Sequence, residues 1–182
     1  MRLRFAGLWC VVLLTVFFLL SCESNLKDVQ RMNATSFNPA GITEDINLKY
    51  TDSGKIKAIL ISPLMNDFTN LQYGFNEFPK GVNVTFYDNK GGKSHVVADY
   101  AITYEETSII DLQGNVKLST DDGKVLQTEQ LYYDQKNEWF YTEKYFKFTD
   151  GEGEYEGPGI DFSKDFSVFN MQQNSGRINN LQ

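Results

Sequence analysis

GNVKLSTDDGKVLQTEQLYYD, residues 114–134, alternates apolar and polar side chains on both sides of an Asp-Gly pair. Val116 and Leu118 share one side of the first half, and Leu131 and Tyr133 share one side of the second. A period of two is the mark of a strand with one buried face. Asp-Gly supplies the positive φ that a tight hairpin turn requires. The stretch holds no histidine, no cysteine and no serine in a nucleophile motif. It therefore predicts a shape rather than a reaction.

The same texture recurs on either side. NLKYTDSGKIKAILIS (47–62) places Asp-Ser-Gly between two strand-like halves, and GVNVTFYDNKGGKSHVVADYAITY (81–104) places Asn-Lys-Gly-Gly between two more. EWFYTEKYFKFTDGEGEYEG (138–157) repeats the scheme. Runs rich in Val, Ile, Thr, Tyr and Phe, broken by Gly, Asp and Asn at fairly even spacing, predict an antiparallel all-β domain. Four prolines occur, and none is expected inside a strand. One weak helix is expected around Pro63–Asn76. The apolar faces then need two packed sheets, or one sheet curled on itself. With 14 Phe and 10 Tyr the interior is bulky and aromatic, which a plain sandwich core and a ligand-lined interior explain equally well.

The N-terminus reads as a targeting segment. Arg2 and Arg4 precede an apolar run from Leu8 to Leu20 that is shorter than the roughly 20 residues of a membrane-spanning helix. The run ends in Leu-Leu-Ser-Cys. Residues 1–21 are expected to be a removable export signal, residues 22–45 a polar tether, and residues 46–182 the folded domain. Cys10 lies within the signal, so of the two cysteines only Cys22 remains in the mature chain. An internal disulfide is then impossible. Leu19–Cys22 resembles the lipobox of bacterial lipoproteins, which implies lipidation of Cys22 and attachment to a membrane surface without crossing it.

The chain carries 17 Lys+Arg against 24 Asp+Glu, a net charge of −7. An acidic domain without a basic cluster is a poor match for nucleic acid. Signals for catalysis are equally sparse. His95 is the one histidine, expected in a solvated turn before a strand. No Gly-x-Ser-x-Gly, P-loop or His-Glu-x-x-His occurs. Asp150, Glu152, Glu154 and Glu156 occupy alternate positions and on a strand would share one face. A calcium site or a glycosidase pair is conceivable there, with a solvated acidic face as the simpler reading. No enzyme activity, metal or cofactor is expected.

LQGNVKLSTDDGKVLQTEQLYYD (112–134) followed by FYTEKYFKFTDGEGEYEGPGIDFSKDFSVFNM (140–171) resembles the LptC family of lipopolysaccharide-export components. The matching features are Gly114–Val116, Asp122-Gly123, the L-x-T-x-x-L-x-Y-D pattern from Leu126 to Asp134, Thr142, and the Gly157/Gly159 pair. Upstream, DSGKIKAILIS (52–62) and FPKGVNVTFYDNKGGKSHVVADYAITY (78–104) also fit, so the likeness covers about Tyr50 to Met171. It implies an OstA-like β-jellyroll, a twisted open sandwich with a hydrophobic groove. It further implies transfer of lipopolysaccharide from an inner-membrane ABC transporter to a periplasmic LptA-like bridge protein, on the periplasmic face of the inner membrane. The strand near Lys49–Ile61 would face the transporter, and the strand near Phe162–Met171 would face the bridge. Well-known members keep an N-terminal transmembrane helix, and here a lipobox stands in its place.

The groove is expected to be lined from the core-phase positions Ile56, Ala58, Leu60, Val82, Val84, Phe86, Val116, Leu118, Leu126, Leu131, Tyr133, Phe140, Phe146 and Phe148. The alternative is a carbohydrate- or protein-binding β-sandwich lipoprotein, whose aromatic side chains would form a flat outward platform.

Overall fold

The computed structural model describes residues 38–88, 91–171 and 175–178. The expected signal, Cys22 and most of the tether lie outside these. Twelve antiparallel strands and no helix make up the described residues. They are β1 (Gly41–Asp52), β2 (Lys55–Asp67), β3 (Phe75–Phe78), β4 (Val82–Tyr87), β5 (Lys93–Ala98) and β6 (Tyr100–Tyr104), followed by β7 (Ile109–Thr120), β8 (Val125–Asp134), β9 (Trp139–Thr149), β10 (Gly153–Ser163), β11 (Phe169–Met171) and β12 (Ser175–Ile178). The all-β expectation holds. The first strand starts at Gly41, ahead of the expected boundary at Ile46, because Gly41–Glu44 pair with Leu64–Asp67.

The turn chemistry follows the sequence. Ser53 (φ 49°) and Gly54 (φ 76°) both adopt left-handed conformations between β1 and β2, as a tight hairpin turn demands. At the hairpin between β7 and β8, Gly123 (φ 89°) donates its N–H to the carbonyl of Thr120 at 3.0 Å.

The helix expected around Pro63–Asn76 is absent. Residues up to Asp67 continue β2, a reversal follows, and Phe75–Phe78 return as β3, with Phe68 N–H donating to the Phe75 carbonyl at 2.9 Å. Prolines also enter two strands, against expectation, and both sit where no ladder needs their missing N–H. Pro63 falls between the β2 residues that pair with β4 (through Ile61) and those that pair with β3 (from Asn66). Pro158, paired with Tyr145, adjoins the bulge that sets Glu143 and Lys144 of β9 opposite Gly159, and it lies between the parts of β10 that pair with β12 and with β11.

Bulges turn the sheet on itself. Register shifts fall side by side at Gln113/Val116, at Thr128/Tyr132 and at Pro158/Ile160. Positive φ at Gly114 (73°), Asn115 (46°) and Gly159 (73°) marks the same line. Irregularities of this kind bend strands and steepen their twist. As a result β7 pairs with β6 through its first half and with β5 through its second. The ladder closes into a ring through β7, β6, β3, β2, β4 and β5. Beyond the ring the sheet stays open, with β1 at one edge and β11 and β12 at the other.

Gly81 lies just ahead of β4, packed against the end of β5. Its φ is +82°, and a Cβ there would meet the Ala98 carbonyl oxygen at 2.7 Å. The buried Ser62 hydroxyl donates to the Gly81 carbonyl at 2.7 Å. Gly81→Ala combines backbone strain with a collision against main chain, and is expected to destabilise the domain by roughly 2–3 kcal/mol. Urea unfolding checks this, and an unchanged midpoint would refute it.

Candidate functional site

Two cavities lie between the curled arms of the sheet. The first, the apolar cavity of about 640 Å³, has a mixed wall in which apolar side chains are slightly in the majority. Leu48 and Tyr50 come from β1, Leu60 and Met65 from β2, and Val84 and Phe86 from β4. Phe78, Ile110 and Tyr133 complete the apolar part, while Thr103, Ser108, Gln135 and Asn76 add neutral polar groups and Asp52, Lys57, Glu105, Glu138 and Lys164 add charges. Leu48 and Tyr50 are 49% and 65% exposed, so they mark the open side. Burial pushes the Tyr133 phenol well above its ordinary pKa, and Tyr104 is raised by burial and then by nearby Asp111. Both remain neutral throughout the physiological range.

The second cavity, about 790 Å³, is a polar vestibule. Turns frame it: Tyr87–Asp88 and Gly92 after β4, Thr120–Asp122 after β7, Asn137–Glu138 before β9, and Ser163–Ser167 after β10. Asp165 stabilises the last of these by accepting from the Ser163 hydroxyl at 2.7 Å and from the Ser167 N–H at 3.0 Å. Hydrogen bonds from Ser167 and Ser163 hold its carboxyl down at about 2. That stabilisation is present above the ordinary carboxylate pKa and is lost only as pH falls towards 2. Lys57, Phe86, Glu138 and Lys164 belong to both cavities and form the junction between them.

Of the side chains expected to line a groove, Ala58, Leu60, Val84, Phe86 and Tyr133 line the apolar cavity. Val82, Val116, Leu118, Leu126, Leu131, Phe140, Phe146 and Phe148 pack in the sealed core instead. Ile56 is 42% exposed and lies outside both cavities. The cause is a bulge: Tyr50 pairs with Ala58 while Thr51 pairs with Ile56, so Lys57 is the extra residue and the alternation reverses below it.

The gap between the arms is therefore open only in part. Towards β10 aromatic rings fill it. Tyr133 stacks on Phe140 with centroids 4.4 Å apart, Phe140 on Phe162 at 5.3 Å, and Phe162 on Phe166 at 4.6 Å. In this column Phe140 and Phe162 are buried.

Several cavity residues fall outside the expected groove set. Leu48 and Tyr50 alternate on β1, inside the expected 46–182 domain, yet neither is among the expected groove residues. Met65 fell in the stretch read as helix. His95 lies inside β5, not in a turn before it, with its Nδ1 3.1 Å from the Thr85 hydroxyl. The four alternating acids do not share a strand. Asp150 caps the turn by accepting from the N–H groups of Glu152 and Gly153, both at 2.8 Å, and only Glu154 and Glu156 lie on β10. No group of three or more His, Cys, Asp or Glu is placed to hold a metal among the described residues.

The last strand expected at Phe162–Met171 is in fact the end of β10, a loop and β11, while Lys49–Ile61 spans a hairpin. No helix among the described residues is long and apolar enough to cross a membrane.

The described residues form a curled antiparallel jellyroll with two adjoining cavities between its arms. The chain belongs to the LptC family: the family model described as "Lipopolysaccharide-assembly, LptC-related" matches residues 8–177. The family consists of lipopolysaccharide-transport components associated with the periplasm and inner membrane of bacteria, and it is not a family of enzymes. No curated protein matches the chain.

Proposed function

We propose that this domain carries lipopolysaccharide between an inner-membrane ABC transporter and a periplasmic LptA-like bridge protein. Its acyl chains occupy the 640 Å³ cavity. The observation that carries this reading is the apolar cavity opening beside Leu48 and Tyr50, within a family devoted to lipopolysaccharide transport. Each methylene moved out of water gains about 0.8 kcal/mol, so an acyl chain binds without help from the acidic surface. Acylated Cys22 holds the domain to the membrane once residues 1–21 are removed. The two open edges suit main-chain pairing with other sheets, with β1 towards the transporter and β11/β12 towards the bridge protein.

Photo-crosslinking tests the reading. A photoreactive residue at Phe86 or Leu60 is expected to label lipopolysaccharide, and one at the sealed Phe148 or the outward Lys117 is expected not to. Labelling at Lys117 alone would overturn it. A second reading, a carbohydrate-binding face, draws on Tyr132 and Tyr141, which stack at 5.0 Å on the opposite side of the sheet from Tyr133. Labelling confined to Tyr141 would favour that face.

A further inference from the structure

We propose that Lys164 and Lys57, at the junction of the two cavities, seat a phosphate group of the bound amphiphile. This rests on the lipid-carrying reading above and adds the part of the ligand that the vestibule recognises. Two independent features of the chain point to it.

The first is the bulge in β2. In a regular strand, consecutive side chains point to opposite faces, yet Lys57 and Ala58 both line the apolar cavity. The extra residue at Lys57 has this effect, turning a lysine inward at the cost of moving Ile56 outward.

The second is the setting of Lys164. Its side chain is only 15% exposed, and its Nζ lies 5.6 Å from the centroid of the Phe86 ring. Its ion-pair partner, Glu138 Oε1 at 3.0 Å, belongs to a side chain that is 63% exposed. A withdrawn ammonium thus has a counter-charge that sits largely in water, where such a pair is weak. An ammonium has three donors, and the contact with Glu138 uses one.

The vestibule's aspartates stay charged, but each is held in a turn of its own and none belongs to the four residues shared by both cavities. Asp88 accepts from Gly92 N–H at 2.8 Å, and Asp121 from Lys93 N–H at 3.2 Å. Asp122 is held by Thr120 and Lys124, and Asp165 by Ser163 and Ser167. At the junction itself the balance is two lysines to one glutamate. Acyl chains in the apolar cavity would bring a phosphate on the adjoining sugar to this boundary, where a charge-assisted hydrogen bond replaces hydration.

The test compares binding of lipopolysaccharide and of its enzymatically dephosphorylated form to the full chain and to Lys57→Gln/Lys164→Gln. The double variant is expected to lose about tenfold or more in affinity for the phosphorylated form and to bind the dephosphorylated form as the unaltered chain does. Lys164→Arg is expected to retain most of the affinity. Equal loss for both ligands would make the lysines wall residues and overturn the phosphate seat, while the lipid-carrying reading stood. An unaltered chain that binds neither ligand would remove that reading and the seat with it. Displacement of lipopolysaccharide by inorganic phosphate at equal concentration would assign the site to free phosphate and overturn the lipid assignment.

Discussion

Replacing Phe140 by alanine is expected to bring the domain close to unfolding. Phe140 is buried and forms the hub of the aromatic column, touching Phe86, Tyr133 and Phe162 through ring centroids 5.9, 4.4 and 5.3 Å away. Removing a buried phenyl ring costs about 3–5 kcal/mol, because the transfer energy of the ring is lost and a void remains. Stability for a domain of this size is on the order of 5–15 kcal/mol. The melting temperature should fall by roughly 6–20 °C. A fall of less than about 2 °C would show that the column is not a structural core, and that the gap between the arms closes by other means.

The second large effect is expected from filling the cavity rather than emptying the core. Ala58 lies on β2 across from Tyr50 on one side and Phe86 on the other, and its methyl group lines the 640 Å³ space. In Ala58→Trp the indole would enter empty volume, so the strain that usually follows overpacking is small. Cross-linking of lipopolysaccharide from Phe86 should then fall at least about tenfold, equivalent to roughly 1.4 kcal/mol of binding. The melting temperature should move by no more than a few degrees. Normal labelling in this variant would show that the acyl chains lie elsewhere. The pair of variants separates two roles that identical residue types play in this molecule: Phe140 stabilises the fold, whereas the wall around Ala58 leaves room for a ligand.

That separation was not legible in the alternation of the strands. Leu60 and Leu118 both occupy the inward phase of a strand, yet Leu60 faces the cavity and Leu118 is fully buried. A period of two says which way a side chain points, and nothing about whether another sheet reaches it. Ile56 shows a second limit. One inserted residue reverses the phase of everything beyond it, and nothing in KIKAIL announces the insertion at Lys57. The stretch from Pro63 misled for a different reason. The weak helix expected there does not form, because β2 runs on through Pro63 and changes partner from β4 to β3.

Strand content, hairpin positions and the inward phase of most strands were determined by the sequence alone. Those properties depend on residues near one another in the chain: side-chain alternation, β-branched and aromatic residues, and Asp-Gly or Ser-Gly at the reversals. Only the tertiary structure decided that the sheet closes into a ring at one end, that aromatic rings fill the gap near β10, and that two lysines meet where the cavities join. Each of these depends on contacts between distant strands whose spacing is set by the bulges, and a single extra residue in one strand is enough to change them.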